Sequence, residues 1–425
     1  MPDVDYQFDT LDFADDTEAG RARRRGWLQG LRRGFHHEQA DEDFEGMWLE
    51  HVKADDVVCR GAWLPDGAFG AGPVPVATTA WFDKTLNVGR ELLPLRMITD
   101  VTTSPAHRRR GLVRRLMEDC LADAVAAEVP LAALTASEAT IYGRFGFGVA
   151  TFGHEVELDT GPRFGLRGFT DPGRVEQVDP AASWPLTRDL LDRFHRRTRG
   201  SVGTPQFYEP LFAGRWNFMG SGPDKKLRAA VHLTPDEDVD GVVVWRPEER
   251  DGDKRKAKVL LHLADDASAG LALWEFVGSI DLVNHVEYGD FPPADPLPWA
   301  LTDFNALKPT GRYEFLWVRV LDVPRALAAR PWTGDGDVVL EVADPQGHAS
   351  GRYAVTACGG AATVTRTDAP AEVAVDAETL GSLSLGGVAV TTLHAAGRMT
   401  GEDAAVARFA AMADLPDEPY NILGF

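Results

Sequence analysis

The sequence predicts a mixed α/β fold, of the α+β class, divided into three domains. Its 425 residues exceed what one hydrophobic core usually serves, so two or three domains are expected. Segments with helical and with strand periodicity alternate along the chain. A proline-rich stretch, Pro292 to Pro298, interrupts them and is the clearest linker. We place the domains at residues 1–160, 161–298 and 299–425.

Composition and charge exclude several classes of protein. The chain carries 44 Lys and Arg against 65 Asp and Glu, a net charge of −21 that repels polyanions, so we expect no nucleic-acid partner. The three cysteines, Cys59, Cys120 and Cys358, show neither metal-ligand nor disulfide spacing, which favours a reducing cytoplasm. No segment approaches the roughly 20 apolar residues that span a bilayer. We therefore expect no membrane association.

The first 150 residues show alternating patterns of helix and strand. Apolar residues at helical spacing between Thr17 and His51 predict two helices. A Gly/Pro turn between two strand patterns predicts a hairpin, and the amphipathic spacing after Gly111 predicts a further helix. After the first two helices, the predicted elements of this region are, in order, strands 57–64 and 74–82 of the hairpin, strand 95–103, helix 111–128, strand 131–136 and a short helix at 141–145.

The middle of the chain repeats part of this pattern. Residues 260–273 echo the strand, loop and helix around Gly111, with Gly270 in its place and Ala267 to Ala269 where Arg108 to Arg110 stand. This predicts a second unit of the same fold that has lost its basic loop, although two unrelated strand-to-helix turns can match this well by chance. The other elements are helices 185–197, 267–282, 323–329, 377–384 and 401–412, and strands 241–245, 258–264, 337–343, 352–357 and 361–365.

The segment after strand 95–103 carries the strongest chemical signal. The run His107 to Arg110 closes a strand and opens a helix at Gly111, so backbone N–H groups converge on one point. A helix N-terminus with added arginines binds a pyrophosphate well. Basic runs are usually solvated surface, but this position favours a phosphate-binding loop.

This loop matches the R-x-x-G/A signature at Arg108, Arg109, Arg110 and Gly111 and resembles the acyl-CoA site of the GCN5-related N-acetyltransferases (GNAT). The tripeptide around Tyr142 and the chain end Tyr420 to Phe425 narrow the resemblance to the enhanced intracellular survival (Eis) family of multi-acetylating aminoglycoside acetyltransferases. It implies tandem GNAT-type acetyltransferase domains, the second degenerate, followed by a sterol-carrier-protein-like domain. It also implies acetyl-CoA as co-substrate and a homohexamer. His36 and His37 have no third ligand at metal spacing, so we expect no metal.

Two catalytic groups follow from the same resemblance. Tyr142 is the expected general acid, since a phenol with an ordinary pKa of about 10 keeps its proton at pH 7. The alternative is that the Tyr142 ring packs in the hydrophobic core, as the neighbouring phenylalanines do, and has no catalytic role. The terminal carboxylate of Phe425, ordinarily with a pKa of about 3.3–3.7, is the expected base. Chain ends are normally frayed, but the uncharged apolar tail indicates burial.

The remaining site residues bind cofactor or substrate. Acidic residues beside two tryptophans can attract a polycation by charge and cation–π contact. The alternative interpretation, an exposed acidic surface without a binding role, is nearly as good. The resemblance places cofactor binding at Val101, Thr103, Arg108, Arg109, Gly111, Leu112 and Ser137, and we expect substrate binding at Trp27, Glu38, Asp41, Glu42 and Trp48.

Together these features predict a cytoplasmic acetyl-CoA-dependent N-acetyltransferase. Its expected substrates are amines of aminoglycosides or similar polycationic amines, acetylated at several positions. The alternative is a non-catalytic protein that senses CoA or binds a lipid or sterol.

Overall fold

The structure is a computed structural model that describes residues 4–217 and 222–425. Its described residues form two compact units. The first contains the chain up to Val149 together with Leu316–Leu415 and Gly424–Phe425, and the second contains Ala150–Phe315 and Pro416–Leu423. Within these ranges no helix is both long enough and apolar enough to cross a membrane.

The predicted helices and strands are present, most of them with ends shifted by a few residues, and the structure adds strands that we did not predict, among them Phe152–Asp159, Leu307–Glu314 and Leu316–Val320. The chain up to Val149 forms β1 (Gln7–Thr10), α1 (Glu18–Gly34), α2 (Glu42–Ala54), β2 (Val58–Trp63), β3 (Ala77–Asn87), β4 (Leu92–Thr103), α3 (Leu112–Ala126), β5 (Leu131–Thr135) and β6 (Gly148–Val149). The next part forms β7 (Phe152–Asp159), β8 (Arg174–Val178), α4 (Pro180–Arg197), α5 (Tyr208–Phe212), β9 (Arg228–Leu233), β10 (Val239–Pro247), β11 (Lys256–Ala264), α6 (Ala267–Gly278), β12 (His285–Tyr288), α7 (Leu297–Ala300) and β13 (Leu307–Glu314). The last part forms β14 (Leu316–Val320), α8 (Val323–Ala328), β15 (Gly336–Ala343), β16 (Gly351–Cys358), β17 (Ala361–Arg366), β18 (Val373–Asp376), α9 (Ala377–Leu383), α10 (Val390–Ala395), β19 (Met399–Gly401) and α11 (Asp403–Ala413).

The first sheet has the strand order β1-β2-β3-β4-β5-β14-β6. Its strands pair antiparallel except β4 and β5, which are parallel and are connected by α3. Helix α3 buries Met117, Cys120 and Leu121 against Trp81 of β3 and Ile98 of β4. The parallel pair places the end of β4, the start of α3 and the end of β5 at one edge of the sheet, as in any β-α-β unit.

The second sheet repeats this topology in the order β8-β9-β10-β11-β12-β7-β13. Strands β11 and β12 are its parallel pair and α6 connects them. Helix α6 buries Leu273, Trp274 and Val277 in the core of this unit. The echo between the two halves of the sequence is therefore a repeat of a whole sheet.

The sheets do not follow the contiguous ranges 1–160, 161–298 and 299–425 that we predicted. Strand β7 lies in the second sheet, whereas β14 completes the first sheet between β5 and β6. The stretch Pro292 to Pro298 does not separate two domains, because Leu297 is fully buried and β13 beyond it pairs with β7. Prolines restrict the local backbone conformation, but they do not determine which strand will pair with the strand that follows them.

The third sheet, β17-β16-β15-β18-β19, belongs to the first unit with helices α8 to α11. Helix α9 packs closely on β14, because a Cβ on Gly381 would lie 2.2 Å from the Val318 carbonyl oxygen. Arg319 of β14 pairs with Asp344 at 2.5 Å, and both side chains are buried. These contacts hold β14 in place beside β5.

Candidate active site

The loop between β4 and α3 has the backbone geometry of an anion-binding site. Arg109 and Gly111 both adopt left-handed conformations, with φ of 62° and 76°. Gly111 is the N-cap of α3, and no side chain among the described residues caps this helix end. A Cβ on Gly111 would meet nothing within 4 Å, so the loop borders open space. The first N–H groups of an uncapped helix point out of its N-terminus and can bind an anion.

The side chains around the loop fit a phosphate ligand. Arg108 and Arg109 are exposed, and Arg108 Nη2 lies 3.7 Å from Glu138 Oε1 in a solvated pair. Such pairs contribute little to stability, so a phosphate can take the place of the carboxylate. Thr103 Oγ1 is buried with no hydrogen-bond partner among the described residues. A buried hydroxyl without a partner is the feature that a polar ligand would satisfy.

The other predicted cofactor residues have different surroundings. Val101 packs on the core next to α3, and Leu112 is buried beneath the first turn of α3. The Leu112 side chain therefore faces the protein, which leaves its backbone N–H for binding. Ser137 is exposed two residues beyond the end of β5.

Tyr142 is buried in the same core and precedes the 3-10 turn Gly143–Phe145. It is 5% exposed and makes an edge contact with Phe147 at 6.3 Å between ring centroids. Burial, with a smaller contribution from the Glu138 charge, raises the pKa of Tyr142 to about 12. The phenol therefore keeps its proton at neutral pH.

The chain end is docked on the first sheet. Thr135 Oγ1, at the end of β5, donates a hydrogen bond of 2.7 Å to a terminal oxygen of Phe425. The Phe425 ring contacts the edge of Phe82 of β3 at 6.4 Å between centroids. A terminus held by a hydrogen bond and an aromatic contact is ordered, in contrast to most chain ends.

Asp100 was not among the residues predicted from the sequence. It lies in a bulge of β4, where the pairing with β3 shifts register, and adopts φ of 57°. Thr78 Oγ1 donates to its carbonyl oxygen at 2.7 Å, and burial raises the pKa of its carboxyl to about 7. In the sequence, Asp100 is marked by being a single acidic residue within the otherwise uncharged strand segment 97–103.

The five predicted substrate residues fall into two groups. Trp27 is fully buried, donates from Nε1 to the Arg60 carbonyl oxygen at 3.0 Å and stacks on the buried Trp48. Neither indole therefore presents an open ring face to a cation, because the apolar faces of α1 and α2 pack inward. The carboxylates of Glu38, Asp41 and Glu42 are exposed.

The start of α6 differs from the position that the sequence echo predicts. The helix begins at Ala267, so the counterpart of Gly111 is Asp266 and not Gly270. Asp266 caps the helix by accepting from the Ala269 N–H at 2.9 Å. Asp265 beside it pairs with Arg193 at 2.8 Å. The second loop thus carries two carboxylates where the first carries arginines. The Asp266 carboxylate occupies the helix N-terminus that a phosphate would need, and Asp265 is paired with Arg193 and Arg197.

We therefore expect one acetyl-CoA site per chain. Titration calorimetry should give a stoichiometry of one, because of the two corresponding loops the one before α3 combines positive charge with an uncapped helix end, whereas Asp266 caps α6. Arg109→Glu should abolish that binding, whereas Asp266→Asn should leave the stoichiometry at one. Two sites per chain would contradict this interpretation of the second unit.

No group of three or more His, Cys, Asp or Glu in the described ranges is arranged to hold a metal ion.

Family models and relatives agree with this architecture. Acetyltransferase (GNAT) domain models match residues 18–150 and 211–320, and a sterol carrier protein domain model matches residues 323–421. These three matches confirm the predicted fold class.

Individual relatives match over most of the chain. The N-acetyltransferase Eis of Mycobacterium tuberculosis is 34% identical over 372 residues, which cover 85% of this chain and 87% of the relative. An uncharacterised N-acetyltransferase of Streptomyces avermitilis is 33% identical over 401 residues, 91% of this chain and 93% of the relative. The crystal structure of Eis1 from Mycobacterium abscessus superposes with a TM-score of 0.81 at 26% identity, covering 99% of this chain and 100% of the other.

Proposed function

Because the chain belongs to the family of the N-acetyltransferase Eis, we propose that it acetylates amines of aminoglycosides or similar polycationic amines at several positions. One observation carries the catalytic part of this proposal. The Phe425 terminus is bound by Thr135 at the end of β5, in the sheet that carries the phosphate-binding loop.

Acetyl-CoA is the co-substrate of GNAT domains, and it supplies an activated thioester carbonyl. In this chain Arg108, Arg109 and the N–H groups around Gly111 would hold its phosphates. The unpartnered Thr103 hydroxyl and the exposed Ser137 would offer further polar contacts. Charge-assisted hydrogen bonds to phosphate are the strongest of these interactions.

The Phe425 carboxylate acts in this proposal on the incoming ammonium. A carboxylate is ionised at neutral pH and can accept the proton directly or through one water. The hydrogen bond from Thr135 Oγ1 fixes one carboxylate oxygen, and in this proposal the other accepts the proton. Removing the proton exposes the amine lone pair that attacks the carbonyl carbon.

Tyr142 supports departure of the thiolate by donating its proton. A phenol with a pKa of about 12 is a weak acid against an ordinary thiol of pKa about 8.5. Proton transfer from the phenol to the thiolate therefore becomes efficient where the site also raises the pKa of the thiol above its ordinary value.

The negative charge of the protein supports polycationic amines as the substrate class. The exposed Glu38, Asp41 and Glu42 lie at the junction of α1 and α2 in a protein of net charge −21. A negative surface raises the local concentration of polycations and their rate of encounter. Polycationic amines fit this surface better than neutral or acidic acceptors.

Free-thiol release measured across a panel of amines tests the function. We expect release of CoA with aminoglycosides and polyamines, reduced at high salt because exposed charges are screened. A protein that binds acetyl-CoA but releases no thiol with any amine would favour the alternative of a CoA sensor or lipid carrier.

The phosphate-binding loop gives a second test. Charge-assisted contacts contribute about 1.5–3 kcal/mol each, so Arg109→Ala should raise the acetyl-CoA KM about tenfold or more, with the melting temperature unchanged. Arg352→Ala, which removes an exposed arginine of β16, is the matched control and should leave KM as it is. An unchanged KM in the Arg109 variant would refute the loop as phosphate site.

A further inference from the structure

The phosphate-binding loop between β4 and α3 has a backbone conformation that its residues do not favour by themselves. Arg109 is left-handed, with φ of 62°, although residues with a side chain avoid this region. No side chain among the described residues caps α3 at Gly111. A strained loop persists only where the surrounding structure holds it. Its conformation therefore depends on how its two ends, at His107 and Leu112, are held.

Apolar packing holds the end of the loop that leads into α3. Leu112 is 3% exposed and belongs to a buried apolar cluster with Leu116 of the same helix and Ala77 of β3. Tyr6, directly before the edge strand β1, and Phe8, within it, pack against this cluster. Because they are two residues apart, their side chains lie on one face of the strand. The N-terminal strand thus supports the first turn of α3.

The other end of the loop is held by the same tyrosine. The Tyr6 hydroxyl and His107 Nδ1 form a hydrogen bond of 2.8 Å between residues 101 positions apart. The two rings meet edge-on, with 5.7 Å between centroids. His107 ends the 3-10 turn Pro105–His107, and Arg108 follows directly. Tyr6 therefore contacts His107 through its hydroxyl and the cluster that contains Leu112 through its ring.

The strength of this hydrogen bond matters because the loop is strained. The cost of a left-handed arginine is of the same order as the net strength of one hydrogen bond. Without the bond, a larger share of the free molecules therefore adopts other loop conformations. A ligand that binds one conformation loses affinity in proportion to the share of molecules that have left it.

We propose that Tyr6 is a positioning residue for acetyl-CoA binding, because through His107 it holds the phosphate-binding loop in the conformation that accepts the phosphates. The proposal rests on the proposed role of this loop as the acetyl-CoA site. Removal of the Tyr6 hydroxyl changes the binding step and leaves the groups of Tyr142 and Phe425 as they are. The expected signature is a loss of affinity for acetyl-CoA without a loss of kcat.

The experiment measures the loop and the cofactor separately. Trypsin cuts after arginine, and mass spectrometry of the fragments gives the cleavage rate within Arg108 to Arg110 in the protein without cofactor. This rate follows the population of locally open molecules when opening and closing are fast. Titration calorimetry gives the acetyl-CoA Kd, and steady-state kinetics gives kcat.

The variants isolate one hydrogen bond. Tyr6→Phe removes the hydroxyl and keeps the ring on the apolar cluster. His107→Ala removes the partner, and the double variant completes a double-mutant cycle. Tyr313→Phe is the matched control, since Tyr313 of β13 is half-buried like Tyr6 and its hydroxyl also bonds to a side chain, the Asp290 carboxylate, at 3.1 Å.

In Tyr6→Phe we expect the acetyl-CoA Kd to rise roughly 2- to 12-fold, the range that the net strength of one hydrogen bond allows. Cleavage within the loop should accelerate, and kcat at saturating acetyl-CoA should stay constant because bound cofactor holds the loop. In the His107→Ala background the Tyr6→Phe substitution should have no further effect. Tyr313→Phe should change neither the Kd nor the cleavage rate.

An unchanged Kd in Tyr6→Phe would overturn the role of Tyr6, and so would an equal effect in the wild-type and His107→Ala backgrounds. Arg109→Ala separates this outcome from a failure of the proposed function. If Arg109→Ala leaves acetyl-CoA binding unchanged, the loop is not the cofactor site. If Arg109→Ala weakens binding and Tyr6→Phe does not, only the role of Tyr6 is wrong.

Discussion

Extending the chain beyond Phe425 is expected to abolish acetyl transfer while acetyl-CoA binding persists. A C-terminal tag replaces the carboxylate with a neutral amide and adds bulk where Thr135 Oγ1 now binds the terminal oxygen. Loss of a general base typically costs about 10²- to 10⁴-fold. Thiol release and titration calorimetry on the same preparation measure the two properties, and an N-terminal tag is the control that should leave both intact.

Amidation of the terminus in a semisynthetic protein separates charge from bulk, because it changes one oxygen to nitrogen at nearly constant size. We expect the same loss of kcat as with the tag. Full activity in the amidated protein would exclude the terminal carboxylate and direct attention to Asp100. Since burial raises the Asp100 pKa to about 7, activity that depended on its ionised form would rise through pH 7, and Asp100→Asn would remove that rise.

Tyr142→Phe is expected to lower kcat by about 10²-fold with the acetyl-CoA dissociation constant unchanged. The substitution removes one oxygen from a side chain that is 5% exposed and keeps the ring contact with Phe147, so the core should remain packed. General acids of this kind contribute about 10²- to 10⁴-fold. Single-turnover kinetics at saturating acetyl-CoA measures the change. Tyr353→Phe is the control, since Tyr353 is a buried tyrosine of β16 whose hydroxyl donates to the Ala349 carbonyl oxygen at 3.0 Å.

The pH dependence of the rate gives a second test of Tyr142 as general acid. Because its pKa is raised to about 12, the phenol stays protonated through the neutral and mildly alkaline range, and its deprotonation should not limit the rate below about pH 10. Near-normal turnover in Tyr142→Phe would mean that the thiolate leaves without help from the phenol.

Much of the local structure could be predicted from the sequence because its causes are local. The spacing of Leu116 and Cys120 decides which face of α3 is buried, and the positive φ of Gly111 follows from the turn that opens this helix. The same applies to the placement of Arg108 and Arg109 in the loop. Such signals depend on neighbours a few residues away, so they can be read without the fold.

The burial of individual side chains could be predicted from the sequence only in part. Trp27 and Trp48 look like exposed aromatic partners for a cation beside acidic residues, yet they stack in the core. The helical pattern gives the apolar face but does not say how deeply a sheet covers it. Likewise, the position of Asp266 as helix cap depended on where α6 begins, and helix ends are the least certain feature of a periodic pattern.

By itself the sequence determined the mixed α/β class and the basic loop before α3, whereas the roles of Tyr142 and Phe425 stay predictions. Only the tertiary structure decided that β14 completes the first sheet, that Thr135 binds the chain end, and that Tyr420 lies against Asp290. Thr135 and Phe425 are 290 positions apart in the chain. Pairings over such separations depend on which complete faces and strand edges remain to be covered once each sheet has formed, and no local pattern of residues encodes that.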